Sequence, residues 1–260
     1  NYTALVNAHA VADQANVKLV IPDGTYSYTP TAAINLAVPM EGEGMPVLTC
    51  NMSAYSGVVF RMIGSTYIKN LYLNRSGTLQ GTAIYQAPVT ATDFTGYQVL
   101  ERVWAIGFAR GLNIGNVFEN TYKNCRFNDG TTGIYCVPDG GTGNGYVTTL
   151  HFDSCEVRGN AQNYLFTSTL QSRGVTFTNC TTEDPTTTAS TFTKIRGLHF
   201  REMYAEGSSS IKGLILNDCS ASIDGIYLNG TAGITLGTNT EARIKGLRIG
   251  TSTDLLTGGD

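Results

Sequence analysis

Leu150-His151-Phe152-Asp153-Ser154-Cys155 is the stretch that decides the fold, because the rest of the chain keeps rewriting it. Its form is apolar, any, apolar, any, a polar turn residue, then Cys or another apolar residue. It recurs as Val175-Thr176-Phe177-Thr178-Asn179-Cys180, as Leu198-His199-Phe200-Arg201-Glu202-Met203 and as Leu214-Ile215-Leu216-Asn217-Asp218-Cys219. Looser copies end at Leu71, Val103, Cys125 and Leu247, so the closing positions are 32, 22, 30, 25, 23, 16 and 28 residues apart. Alternation within each copy is the period of a strand with one buried face. Its return at intervals of this size marks a solenoid.

Composition agrees. Of 260 residues, 42% are hydrophobic, ample for a core, and only 14% are charged. The many Gly, Thr, Ser and Asn residues suit short strands joined by tight turns. A net charge of −3 argues against a surface for nucleic acid, and no apolar run approaches the length of a membrane span. The chain opens at Asn1 without a methionine or signal-peptide pattern and reads as a piece of something longer. Cys125, Cys155, Cys180 and Cys219 all close motif copies, where the side chain points inward. They read as reduced, stacked thiols acting as small hydrophobes, not as a disulfide framework.

Ahead of the repeat, Leu5, Ala8, Val11, Ala12 and Ala15 fall on one helical face, and Asn16 can end the helix. Lys18-Leu19-Val20-Ile21 reads as a strand and Pro22-Asp23-Gly24-Thr25-Tyr26 as a turn into another. A short amphipathic helix here covers the open apolar end that a solenoid must protect.

The run from Thr3 to Tyr26, with its "strand, Pro, any, Gly, Thr, Tyr" ending, resembles the opening of pectate-lyase-like right-handed β-helices. It is especially similar to those of bacteriophage tailspikes and capsule depolymerases. The resemblance implies an all-β, right-handed single-stranded parallel β-helix with a short N-terminal capping helix. The expected organisation is one β-helix domain over 1–260, with the cap and leading strands in 1–44 and stacked coils in 45–260. In that geometry each coil has three strands. The motif supplies the second, the turn residue a corner, and the closing residue opens the third. The turn column then reads Asn70, Arg102, Asn124, Ser154, Asn179, Glu202, Asp218, Gly246, similar to the asparagine ladder of pectate lyases. First strands are expected at Ala83-Ile84-Tyr85, Leu112-Asn113-Ile114, Ile134-Tyr135-Cys136, Tyr164-Leu165-Phe166 and Ile226-Tyr227-Leu228. Ile84, Leu112, Ile134, Leu165 and Ile226 would point inward. Long connections at 86–97, 137–147 and 184–191 can wall a groove; the Gly-rich run 141–145 opens no helix and carries no phosphate-binding signature.

In-register stacking turns sequence columns into surface stripes. The first outward position of the third strand gives Trp104, Arg126, Glu156, Thr181 and Tyr204; the next gives Ile106, Asn128, Arg158, Glu183 and Glu206. Aromatic rings suit the C–H faces of sugars, and Arg suits acidic glycans. Glycoside hydrolysis needs one protonated and one ionised carboxyl group. Glu183 and Glu206 would lie about 5 Å apart on adjacent rungs, near the retaining separation, and Glu156 to Glu183 roughly 8 Å, within the inverting range. Candidate catalytic residues are therefore Glu156, Glu183 and Glu206, with Trp104, Arg126, Arg158, Tyr204 and Tyr135 as candidate substrate-binding residues. Against this stands an ordinary cross-strand charge ladder, which the column Glu101, Lys123, Asp153, Thr178, Arg201 resembles more clearly. Tyr85, Tyr135 and Tyr227 can bind sugar or face another subunit.

Other chemistry finds less support. His151 and His199 share a column, but Thr176 lies between them, leaving roughly 10 Å, too far for one metal. No calcium-binding carboxylate cluster is evident. Arg243-Ile244-Lys245 matches one polygalacturonase motif without its companions. No metal or cofactor is expected. The tailspike resemblance implies a homotrimer, an extracellular, virion-borne role and endo-cleavage of a bacterial surface polysaccharide. Hydrolysis is favoured. A lyase using Tyr204 with Arg126 or Arg158, and a non-catalytic glycan-binding or structural module, remain open.

Overall fold

The computed structural model describes residues 2–88, 94–138, 145–207, 213–230 and 233–250, and the backbone of 256–258. Positions 89–93 and 139–144, which hold parts of two expected groove walls and most of the Gly-rich run, lie outside the described residues. After the helix Tyr2–Ala15 the regular elements are strands, most of them short and a few, such as Gln162–Thr178, running through a corner, paired in parallel with the turns before and after. The result is a parallel β-solenoid of about nine turns.

Three stacks of strands run along it. The first includes Val58–Met62, Thr82–Gln86, Arg110–Ile114 and Thr132–Cys136. The second includes Val117–Lys123, Thr148–Asp153 and Glu241–Lys245. The third includes Arg126–Asn128, Glu156–Arg158, Thr181–Glu183, Tyr204–Gly207, Tyr227–Gly230 and Arg248–Ile249.

Register repeats the same side-chain position turn after turn, so like residues stack. Tyr122, Phe152, Phe177 and Phe200 form one column of rings with centroids 4.2, 4.7 and 5.3 Å apart and planes within 16°. Each such pair contributes about 0.5–1.5 kcal/mol beyond its buried area. Cys125, Cys155 and Cys180 follow on successive rungs, and all six cysteines are free and buried. Burial pushes the Cys155 thiol well above its ordinary pKa, consistent with an inert packing role.

The corner between second and third sheets is a column of left-handed residues. Asn70, Arg102, Asn124, Ser154, Asn179 and Glu202 have φ between 51° and 54°, and Gly225 (77°) and Gly246 (62°) continue it. Outside glycine this conformation costs roughly 1–2 kcal/mol, offset here by a regular chain of backbone bonds. The amides of Asn124, Ser154, Asn179 and Glu202 each donate to the next turn at 2.9 Å. The Asn124 and Asn179 side chains are exposed. The likeness to an asparagine ladder is therefore one of backbone shape.

Three sequence expectations are corrected. Leu214-Ile215-Leu216 lies in the first sheet, paired with Ser190, Thr191 and Phe192, although it matches the second-strand motif. The true next second strand is Ser220–Asp224, with Leu198 against Ala221 and Phe200 against Ile223. Asp218 accordingly turns a different corner, and Ile226 takes the closing position assigned to Cys219. The intervals from 203 to 226 and from 226 to 247 become 23 and 21, removing the irregular 16 and 28. It follows that Tyr227 belongs to the third sheet, paired with Tyr204. Finally, Tyr164 and Phe166 point inward while Leu165, beside Tyr135, is only half-buried. A large buried Tyr outcompeted Leu for the core because its hydroxyl donates to the Thr181 carbonyl at 3.1 Å.

The helix caps the first turn as expected, but by a different face. Tyr2, Leu5, Val6, His9 and Ala12 pack inward, whereas Val11 is 66% exposed. Asn16 ends it in the left-handed region with φ 51°.

Candidate functional site

The third sheet brings most of the candidate residues into one outward strip. Trp104 pairs in register with Arg126, Arg126 with Glu156, Glu156 with Thr181, Thr181 with Tyr204, Tyr204 with Tyr227 and Tyr227 with Arg248. Two residues along each strand, Arg158 pairs with Glu183 and Glu206 with Asn229. Strand alternation aims both columns outward, while Val157, Thr182 and Ala205 between them point in.

The three carboxylates have different surroundings. Glu156 accepts from Asn128 Nδ2 at 2.7 Å and lies 3.3 Å from Arg126 Nε and 3.7 Å from Arg158 Nε. Both its oxygens are committed to partners. Glu206 accepts from the Tyr204 hydroxyl at 2.5 Å and from Asn229 Nδ2 at 3.4 Å, and Asn229 also bonds Tyr204 at 3.0 Å. Glu183 stands between them. Burial, then the neighbouring charges of Glu156 and Glu206, push its pKa above the ordinary carboxylate value against the opposing pull of Arg158. That arrangement favours keeping a proton on Glu183.

Behind Glu183 sits a set of wholly buried amides. Asn163 Nδ2 donates to the Glu183 carbonyl at 2.8 Å and to Thr182 Oγ1 at 3.0 Å, and Asn163 Oδ1 accepts from Asn160 Nδ2 at 3.0 Å. Asn160 in turn bonds the carbonyls of Phe127 and Arg158 and receives the Gly130 amide. These bonds fix the ends of three successive third strands, where the strip lies. The Thr-rich connection folds against the same corner, with the Thr186 amide donating to the Asn160 carbonyl at 2.9 Å.

Depressions flank the carboxylates on either side. One of about 240 Å³ is lined by Arg102, Trp104, Arg126, Ser154 and Glu156. The other, about 370 Å³, is lined by Glu202, Tyr204, Asp224, Tyr227 and Arg248. Trp104 is not an open platform: the Arg126 guanidinium covers its ring at 4.4 Å, and Tyr72 meets it edge-on at 5.7 Å. Tyr204 and Tyr227 stack at 5.5 Å with planes 12° apart. Tyr135 is not brought to this strip; it lies in the first sheet beside Asn113, with Arg110 over its ring at 3.7 Å.

Tyr72, Tyr227 and Asn229 were missed as members of the strip, the last two because the misplaced 214–219 copy shifted the register. The Asn160-x-x-Asn163 pair was missed because polar residues at inward positions break the apolar pattern. That break was itself the available signal. His151, Thr176 and His199 occupy successive rungs of the second sheet as expected. Among the described residues no group of three His, Cys, Asp or Glu side chains is placed to hold a metal ion.

No family model matches the chain, and no curated protein matches it by sequence. Solved structures do match in shape. A tailspike protein, gp49 of the Acinetobacter baumannii bacteriophage Fri1, a capsular polysaccharide depolymerase, superposes on 100% of this chain and 60% of its own at 15% identity, with a TM-score of 0.62. The chain shares its parallel β-helix fold with this tailspike. The enzymatically active domain of bacteriophage CBA120 tailspike protein 2 covers 96% of this chain and 43% of its own, at 12% identity and a TM-score of 0.62. The catalytic domain of a GH87 α-1,3-glucanase covers 92% and 56%, at 14% identity and 0.51. The chain thus spans about half the length of these proteins.

Proposed function

We propose that the chain binds a bacterial surface polysaccharide along the third sheet and cleaves it within the chain by acid–base hydrolysis. Glu183 is the acid and Glu206 the partner carboxylate. The observation that carries this reading is the contrast between them: Glu183 is partly desolvated between two like charges, while Glu206 on the adjacent rung is oriented as an acceptor by Tyr204 and Asn229. Strands one rung apart are about 4.8 Å apart, which suits a retaining double displacement. Glu183 protonates the glycosidic oxygen as the C1–O bond breaks, and Glu206 attacks C1 to form a glycosyl ester. Glu183, now ionised, takes a proton from water, whose oxygen attacks C1 and releases Glu206.

Glu156 fits an anchoring role better than a catalytic one, since both its oxygens are engaged. The lyase reading is weakened at Tyr204. Its hydroxyl donates to Glu206, which raises its pKa, the opposite of what a base needs near neutral pH. The shared architecture with a phage capsular polysaccharide depolymerase supports a glycan substrate, and with it an extracellular, virion-borne role; trimeric assembly is proposed on the tailspike resemblance of the sequence alone. The test is digestion of a panel of capsular and O-antigen polysaccharides. New reducing ends without the absorbance of unsaturated sugars, lost in Glu183→Gln, support hydrolysis. Unsaturated products indicate a lyase, and binding without cleavage a non-catalytic module.

A further inference from the structure

Beside Glu183 the strip holds a second feature. Arg126 and Arg158 both reach Glu156 through Nε, at 3.3 and 3.7 Å. In both contacts the guanidinium nitrogen nearest the carboxylate is Nε and not a terminal one. Arg126 is also braced by the Trp104 ring at 4.4 Å, and the two side chains stay 45% and 54% exposed. Glu156 is thus the one carboxylate that ion-pairs with both guanidinium groups among the described residues. The Asn128 amide binds the same Glu156 oxygen that faces Arg158 and its carbonyl oxygen accepts the Arg158 backbone amide, so the arrangement is fixed from behind. The depression lined by Trp104, Arg126 and Glu156 opens at this place.

We infer that Arg126 and Arg158, held by Glu156, form a clamp for the carboxylate of an acidic sugar in the repeating unit, on the two rungs that precede Glu183. A guanidinium presents paired N–H groups that match a carboxylate, and a fork immobilised through Nε keeps its terminal pair for the ligand. Arg158 lies directly in register with Glu183, so the clamped sugar neighbours the one whose bond is cleaved. Glu156 is thus a positioning residue acting through the two arginines. The clamp rests on the proposal that the third sheet carries the glycan.

The test is an array of acidic and neutral bacterial oligosaccharides, each acidic member paired with its carboxyl-reduced form. Ligands are expected to be carboxylate-bearing, and reduction is expected to weaken binding at least tenfold. Arg126→Gln and Arg158→Gln should cause a comparable loss for the acidic form and none beyond that for the reduced one. Arg158→Lys, which keeps charge but not the fork, should recover only part of the affinity. Thermal melting verifies that each variant is folded. Equal binding of reduced and acidic forms, or equal loss of both in the arginine variants, overturns the clamp. A neutral glycan cleaved in a Glu183-dependent way also overturns it while leaving the hydrolase reading intact. Binding to no member of the array overturns both.

Discussion

Glu183 has its ordinary pKa of 4.5 raised mainly by burial and then by Glu156 and Glu206. A raised carboxyl pKa means that the folded protein binds more protons than the unfolded chain in the window above 4.5, so stability falls as pH rises through that window. Glu183→Gln should therefore melt above wild type at neutral pH and equal to it below the ordinary glutamate range, as read by thermal denaturation across pH. The same substitution should lower kcat by about 10²–10⁴, the usual worth of a positioned acid. Because Arg158 opposes the shift, a substrate carboxylate that neutralises it should move the alkaline limb of kcat above that of kcat/KM. Carboxyl-reduced substrate should close the gap. At this scale the sequence showed which carboxylates share a column. It did not show that Glu156 is occupied by two arginines or that Arg126 covers Trp104, because side-chain reach along a strand is not contained in a register.

Individual strands are held by cross-turn partners more than by their own length. Asn163 holds Thr181–Glu183 directly and the two preceding third strands through Asn160, and Asn163→Ala removes its four bonds, taking the partner from the buried Asn160 backbone amide at a cost of about 1–3 kcal/mol. Chemical denaturation should show that loss; an unchanged midpoint would contradict the role given to the amide network. On the second sheet the outward column runs Glu41, Lys69, Glu101, Lys123, Asp153, Thr178, Arg201, Asp224, Lys245 in register. Signs alternate along it with one neutral step, and Lys69 meets Glu101 at 2.9 Å. Lys123→Glu sets like charges on both sides and should cost about 1 kcal/mol or less. Raising the salt concentration should erase most of the difference. Part of this ladder was legible, because a strand's period sends every second residue outward. Its continuation was not, since Leu214-Ile215-Leu216 reproduces the motif in the wrong sheet. The pattern of apolar alternation is common to all three strands of a turn, and only the spacing to the preceding closing residue, 16 against 23, marked the error.

Across the molecule, each turn contacts its neighbours alone, so a defect in one column is felt locally and propagates by nearest-neighbour stacking. Phe177, between Phe152 and Phe200 and wholly buried, is the most exacting place to test this. Phe177→Ala should destabilise by about 3–5 kcal/mol, with hydrogen exchange quickening first in the turns on either side. The solenoid was readable because its period survives insertions at the corners; the functional strip was only partly so, because it is assembled from many successive turns whose loops vary in length. The claim on which the functional account rests is that the third sheet carries the glycan with Glu183 at the scissile bond. A crystal structure of Glu183→Gln soaked with an oligosaccharide of the cognate polysaccharide tests it most directly. The account predicts a sugar chain lying along the strip between the Trp104–Arg126 and Tyr204–Tyr227 pairs, with a glycosidic oxygen in hydrogen-bond reach of residue 183. Sugar bound instead on the first or second sheet, or with no linkage near that residue, contradicts it.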